Sequence, residues 1–167
     1  MGISYSGKKT EQVFCSLAGA SSLPKSDSRG DAFLVHRGER HFIEVKKVGS
    51  GAANQVRPCK YTTLVVWSEK EDEWYVIPPQ DVVNLAKPKK GQHAVNSFEC
   101  CNFGKKQWRQ EKYRSDTQSL YRRVRLAIEE GNNASPLYRK VMAQVRQDAL
   151  TLKERQIRAL EGGTIDT

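Results

Sequence analysis

Gly30-Asp31-Ala32-Phe33-Leu34-Val35-His36-Arg37-Gly38-Glu39-Arg40-His41-Phe42-Ile43-Glu44-Val45-Lys46 reads as two strands joined by a short turn. Asp31 to Val35 begins the first strand, His36 to Arg40 contains Gly38 and makes a tight turn, and His41 to Lys46 returns. Side chains alternate faces along a strand, so Glu44 and Lys46 share one face while Ile43 and Val45 point into an apolar core. The hairpin brings Asp31 toward the Glu44 face.

Outward from this hairpin the chain alternates helix and strand. Thr10 to Ala18 is predicted helical, with Val13, Phe14 and Leu17 as its apolar stripe and Glu11 near its start. The loop Ser21 to Gly30 is rich in Ser, Gly, Asp and Pro. Beyond the hairpin, Gly49 to Ala53 is flexible by composition, and Pro58 leaves room for only a short helix in Asn54 to Tyr61. Thr62 to Trp67 reads as a central strand covered on both faces, and Trp74 to Ile77 as a shorter one. Pro78-Pro79 opens a helix through Ala86. Lys87 to Gly104 is a long irregular stretch of the kind that is usually functional or disordered. Ser115 and Gln118 form a capping box for a helix carrying Leu120, Val124, Ala127 and Ile128, which Gly131 can end. Ser135-Pro136 starts a last helix with Leu137, Val141, Val145, Ala149 and Leu152 as its stripe, stopped at Gly162-Gly163. The expected architecture is α/β with a helical C-terminal extension, either a wall of the core or an arm.

The chain has 167 residues, of which 28 are Lys or Arg and 19 Asp or Glu, a net charge of +9. That length can bury a core without disulfides. Four cysteines lack C-x-x-C spacing and two are adjacent, as expected of reduced thiols in the cytoplasm. A zinc site from His93, Cys100 and Cys101 is disfavoured because adjacent cysteines seldom reach one tetrahedral ion. No apolar run approaches the roughly 18 residues of a membrane span, so no membrane partner is expected. Positive charge concentrates late: residues 105–160 hold 14 basic and 6 acidic side chains, against 14 and 11 in residues 1–104. An acidic polymer is the matching partner, because each neutralised phosphate releases a counterion; a solvated basic face is the plainer alternative. Trp108 and Tyr113 interleave with these cations, as base stacking or helix packing would each require. His36 and His41 read as strand-end residues.

Paired carboxylates suit a hard divalent cation such as magnesium. Lys46 would stand beside the attacking water and stabilise the charged phosphoryl transition state. The alternative is a surface strand with an exposed Glu44–Lys46 ion pair, worth little. Asp31, twelve residues, then Glu44-Val45-Lys46 resembles the PD-(D/E)xK nuclease signature, and the element order resembles its restriction-endonuclease-like core, a central mixed sheet flanked by helices. Gly7-Lys8-Lys9-Thr10-Glu11, Ser26-Asp27-Ser28-Arg29-Gly30-Asp31 and Phe42 to Lys46 are most similar to archaeal-type Holliday-junction resolvases. The resemblance covers residues 5 to about 86.

It implies a magnesium-dependent DNA endonuclease, with manganese able to substitute. Asp31, Glu44, Lys46, Glu11 and Gln55 would be catalytic, with Asp31, Glu44 and Val45 holding the metal. Residues 1–104 would be the nuclease core and residues 105–167 a basic extension packed on it, in a homodimer. DNA would be held by Ser26, Ser28, Arg29, Lys47, Lys87, Lys89, Lys90, Lys105, Lys106, Arg109, Arg122, Arg123 and Arg125. The chain departs from the pattern in having Gly30 before Asp31, where the signature has proline. It also lacks a Gln-x-x-x-Tyr, because Tyr61 follows Gln55 by six positions across Pro58. A restriction or mobile-element nuclease, an enzyme on RNA, and a nucleic-acid-binding module without catalysis all remain compatible with the residues.

Overall fold

A computed structural model of the chain describes residues 7–86 and 97–162. Its centre is an open, mixed sheet of 6 strands in the order β1-β2-β3-β5-β6-β8. In chain order the elements begin with helix α1 (Gly7–Ala18) and the short edge strand β1 (Ser21–Ser22). The hairpin of β2 (Ala32–His36) and β3 (Glu39–Val48) follows. Arg37 and Gly38 join its strands with φ of 52° and 80°, the left-handed pair that a two-residue hairpin turn needs to match strand twist. The turn is therefore tighter, and β3 longer at both ends, than the composition around Gly38 implies.

Next come β4 (Ala53–Val56), a 3-10 turn at Pro58–Lys60, β5 (Thr63–Ser68), β6 (Glu73–Ile77) and α2 (Pro79–Ala86). β3 and β5 run parallel and the remaining pairs of the main sheet antiparallel. Every residue of β5 is buried. Its Val65 and Trp67 join a core with Phe14 and Ala18 of α1, while Leu64 and Val66 join a second core with Val82 and Val83 of α2. Coverage on both faces is what its continuous apolar run dictates.

Two expectations need correction. The short helix expected in Asn54 to Tyr61 is confined to the 3-10 turn at Pro58–Lys60; residues 54–56 instead belong to β4, which pairs with β7 (Cys101–Phe103) as a separate two-stranded ribbon. The stretch before Gly104 is likewise not irregular throughout, because Cys101 and Phe103 bury their side chains. Only pairing between segments about 47 positions apart makes these short runs strands: Ala53 stands opposite Phe103 and Val56 opposite Cys101, and the Asn102 side-chain Oδ1 accepts the Gln55 N–H.

α3 (Lys105–Trp108), a 3-10 turn at Glu111–Tyr113 and β8 (Arg114–Ser115) lead to α4 (Leu120–Asn133) and α5 (Ser135–Gly162). Ser115 lies in β8 instead of capping α4. The Ser119 N–H is instead bonded by Asp116 Oδ1 at 2.7 Å, and the helix runs through Gly131. Leu120, Val124, Ala127 and Ile128 complete the core beneath α1. On α5 only Val141 and Val145 are buried, so Ala149 and Leu152 do not extend the buried stripe and the helix leaves the core as an arm. Among the described residues no helix is long and apolar enough to cross a membrane.

Candidate active site

The site grows from the open end of the β2–β3 hairpin. Asp31 immediately precedes β2, and its N–H donates to Ile43 O at 3.0 Å. One rung further, where β2 has no backbone left to offer, Asp31 Oδ2 accepts the Val45 N–H at 2.8 Å. The carboxylate thus continues the ladder and is oriented by it. Gly30 makes this possible: a Cβ there would lie 2.9 Å from Ile43 O. The glycine in place of proline is thus required by close backbone approach.

On β3, Ile43 and Val45 are buried among α1 and α4 residues, and Glu44 and Lys46 take the other face, as alternation requires. Lys46 Nζ lies 3.7 Å from Glu44 Oε1, with side chains 24% and 15% exposed. Glu44 is too enclosed for the exposed-pair reading. α1 is anchored by Phe14, Cys15 and Ala18, which delivers Glu11 to the same field. Burial, followed by the Asp31 charge, raises the pKa of Glu44. Burial and then Asp31 likewise raise that of Glu11, with Glu44 adding to it. The Cys15 thiol is pushed up mainly by burial, with Glu11 and Asp31 contributing. Three carboxyls therefore repel one another here, and a cation would relieve them. Among the described residues, no group of three or more His, Cys, Asp or Glu side chains is arranged to hold a metal ion.

Gln55 is not on a helix facing the carboxylates. It is an exposed residue of β4 with φ 55°. Arg57 and Lys60 instead line a small recess with Glu44, and both temper its raised pKa. Lys25 does the same for Glu11. These three cations were not among the residues expected at the site; the run Arg57-Pro58-Cys59-Lys60 carries a signal only once the 3-10 turn directs it toward β3.

Many of the expected phosphate-binding cations are already engaged. Arg29 pairs with Asp27 at 2.7 Å, and its hydrogen bonds lower the Asp27 pKa to about 2. Lys47 pairs with Glu69 at 3.1 Å, and Glu71 faces both Arg109 at 2.7 Å and Lys105 at 4.0 Å. Arg123 donates to Lys112 O, and Arg125 donates to Ala18 O at 2.8 Å, closing the C-terminus of α1. Ser26, Ser28, Lys106 and Arg122 are exposed. Lys87, Lys89, Lys90 and His93 lie outside the described residues. Trp108 and Tyr113 do not offer rings to bases: they are 1% and 3% exposed, and they donate to Gly51 O and Asp81 Oδ2. The four cysteines are free thiols.

Neither a protein-family model nor a curated protein matches this chain.

Proposed function

We propose that this chain is a magnesium-dependent endonuclease that hydrolyses DNA phosphodiester bonds, built on a PD-(D/E)xK, restriction-endonuclease-like core of the resolvase type. The observation that supports it is the shared electrostatic field of Glu11, Asp31, Glu44 and Lys46 at one end of the β2–β3 hairpin. A structural ion pair has no use for Asp31, whose charge raises its glutamate, or for Glu11, which that glutamate raises in turn.

The residues suit magnesium. This ion keeps several waters and takes only one or two protein carboxylates plus substrate phosphate, so a closed cage of three acidic side chains is not needed. Asp31 and Glu44 would hold it, with Val45 serving through the N–H that fixes Asp31. A divalent ion there supplies a Lewis acid for the scissile phosphate and lowers the pKa of a nearby water. Lys46 orients the attacking water and offsets negative charge building on the phosphoryl oxygens. Glu11 completes the outer acidic shell, and Arg57 and Lys60 can draw a phosphate toward Glu44.

The test is incubation with plasmid, branched and single-stranded DNA, with and without magnesium. Asp31→Ala and Glu44→Ala should abolish cleavage while DNA binding persists. Manganese should replace magnesium; calcium should support binding with poor turnover because its larger, looser shell positions water badly. Strong cutting in EDTA, or binding that falls in step with cutting in both variants, refutes the assignment.

A further inference from the structure

The sheet face that bears Glu44 and Lys46 continues across β2 as an aromatic and cationic strip. Phe33 stands directly opposite Phe42, and Val35 opposite Arg40. The adjacent pair Ala32 and Ile43 is buried beneath α1 and α4, so alternation sends Phe33, Phe42 and Arg40 to the face of Glu44 and Lys46. Both phenylalanines are only partly buried, and Val35 is 59% exposed. The Arg40 guanidinium lies 4.9 Å from the Phe33 ring centre and that of Arg29 4.6 Å from Phe42. Arg29 is held there by two side-chain bonds to Asp27, at 3.0 and 2.7 Å.

We propose that Phe33, Phe42, Arg29 and Arg40 form a stacking platform for unpaired nucleobases, so that the preferred substrate has a single-stranded segment beside the phosphate to be cut. The substrate assignment rests on the nuclease reading of the adjacent carboxylates; the platform itself does not. Two features select this occupant. Rings interleaved with guanidiniums match a polymer that alternates flat bases with phosphates, since both rings and guanidinium planes stack on bases. The strip is also continuous with the site through Phe42 and Glu44 on one strand. Duplex DNA buries its base faces against one another and presents only edges and backbone. A second copy of this face would set arginines against arginines.

The measurement is made in EDTA, where binding is read without cutting. The probes are a single-stranded oligonucleotide carrying 2-aminopurine and the same sequence as a perfect duplex. Bound single strand should show its 2-aminopurine quenched by stacking on the wild-type protein. Phe33→Leu and Phe42→Leu keep apolar volume but remove the ring; each should weaken single-strand binding by at least about fivefold and leave duplex binding within about twofold. Phe42→Tyr should retain wild-type affinity. The proposal is overturned by unquenched 2-aminopurine in the wild-type complex, a result independent of how the variants fold. It is also overturned if single-strand and duplex affinities fall equally, or if the leucine variants change only the sedimentation coefficient, which would make this face a contact between copies. Absence of cleavage with magnesium would refute the nuclease reading and leave these binding results standing.

Discussion

At the level of single residues, the acidic group sacrifices stability for charge. Glu44 and Glu11 have folded pKa values above the ordinary glutamate value of 4.5. They ionise more readily in the unfolded chain, so their contribution favours folding below that value and is lost as pH rises through their folded pKa. Glu44→Gln should therefore raise the thermal midpoint at neutral pH, with the gain vanishing in acid below pH 4.5, while cleavage is lost. Magnesium should raise the wild-type midpoint at neutral pH; a midpoint unmoved by both the substitution and the ion would deny the mutual repulsion. Lys46→Ala should slow cleavage at least about a hundredfold in a folded protein, measured by single-turnover rate and circular dichroism. Asp31→Asn separates two roles, because its amide oxygen can still accept the Val45 N–H while the charge is gone. Asp31, Glu44 and Lys46 were legible in the sequence because alternation puts Glu44 and Lys46 on one side of β3 and the hairpin brings Asp31 beside them. Arg57 and Lys60 were not, since their direction depends on a turn around Pro58 whose Tyr61 end adopts φ 52°.

Among the elements, legibility followed how locally each is determined. β5 announced itself through uninterrupted apolar residues, and α1 and α4 through helical stripes. The β4–β7 ribbon did not, because neither segment has a strand pattern of its own and each exists by pairing with the other. Trp108 and Tyr113 read equally as a nucleic-acid surface or as packing for a related reason: aromatic and basic residues mix in sequence, and only the fold sends the rings inward and the cations out. Two substitutions probe the joints between elements. Gly30→Ala forces a methyl group toward Ile43 O and should cost about 1–3 kcal/mol, with a larger proportional loss of cleavage because Asp31 moves with the distorted rung; urea melts and rate measurements give both. Arg125→Ala removes the donor that closes α1 and should cost about 1–3 kcal/mol by the same melts. Reduced DNA affinity in that variant would then be partly an effect of loosening Glu11, not of losing a phosphate contact.

At the scale of the whole molecule, the α5 arm leaves charge and apolar surface exposed together. Beyond Val145, α5 displays Leu150, Ile157 and Leu160 at 54%, 43% and 84% exposure, among Lys153, Arg155 and Arg158. One active site cuts one strand, so symmetric cutting is most simply achieved by a two-fold pair. Sedimentation should report a dimer at working concentration; a monomer that makes double-strand breaks would defeat this expectation. Neutralising the exposed Lys106 and Arg122 together should weaken binding to all sequences alike and flatten its salt dependence. An unchanged slope would leave the basic face a solvated surface.

α4, near the far end of the chain, forms the floor beneath the strands that carry Asp31, Glu44 and Lys46. During synthesis those strands leave the ribosome well before Leu120, Val124, Ala127 and Ile128, and until these arrive Ile43, Val65 and Trp67 have only α1 to cover them. The hairpin must wait, apolar on its lower face and exposed to aggregation or chaperones, for its last support to be translated. A site assembled in this order is completed only after α4 is made: the carboxylates come early, and the packing beneath them is fixed late.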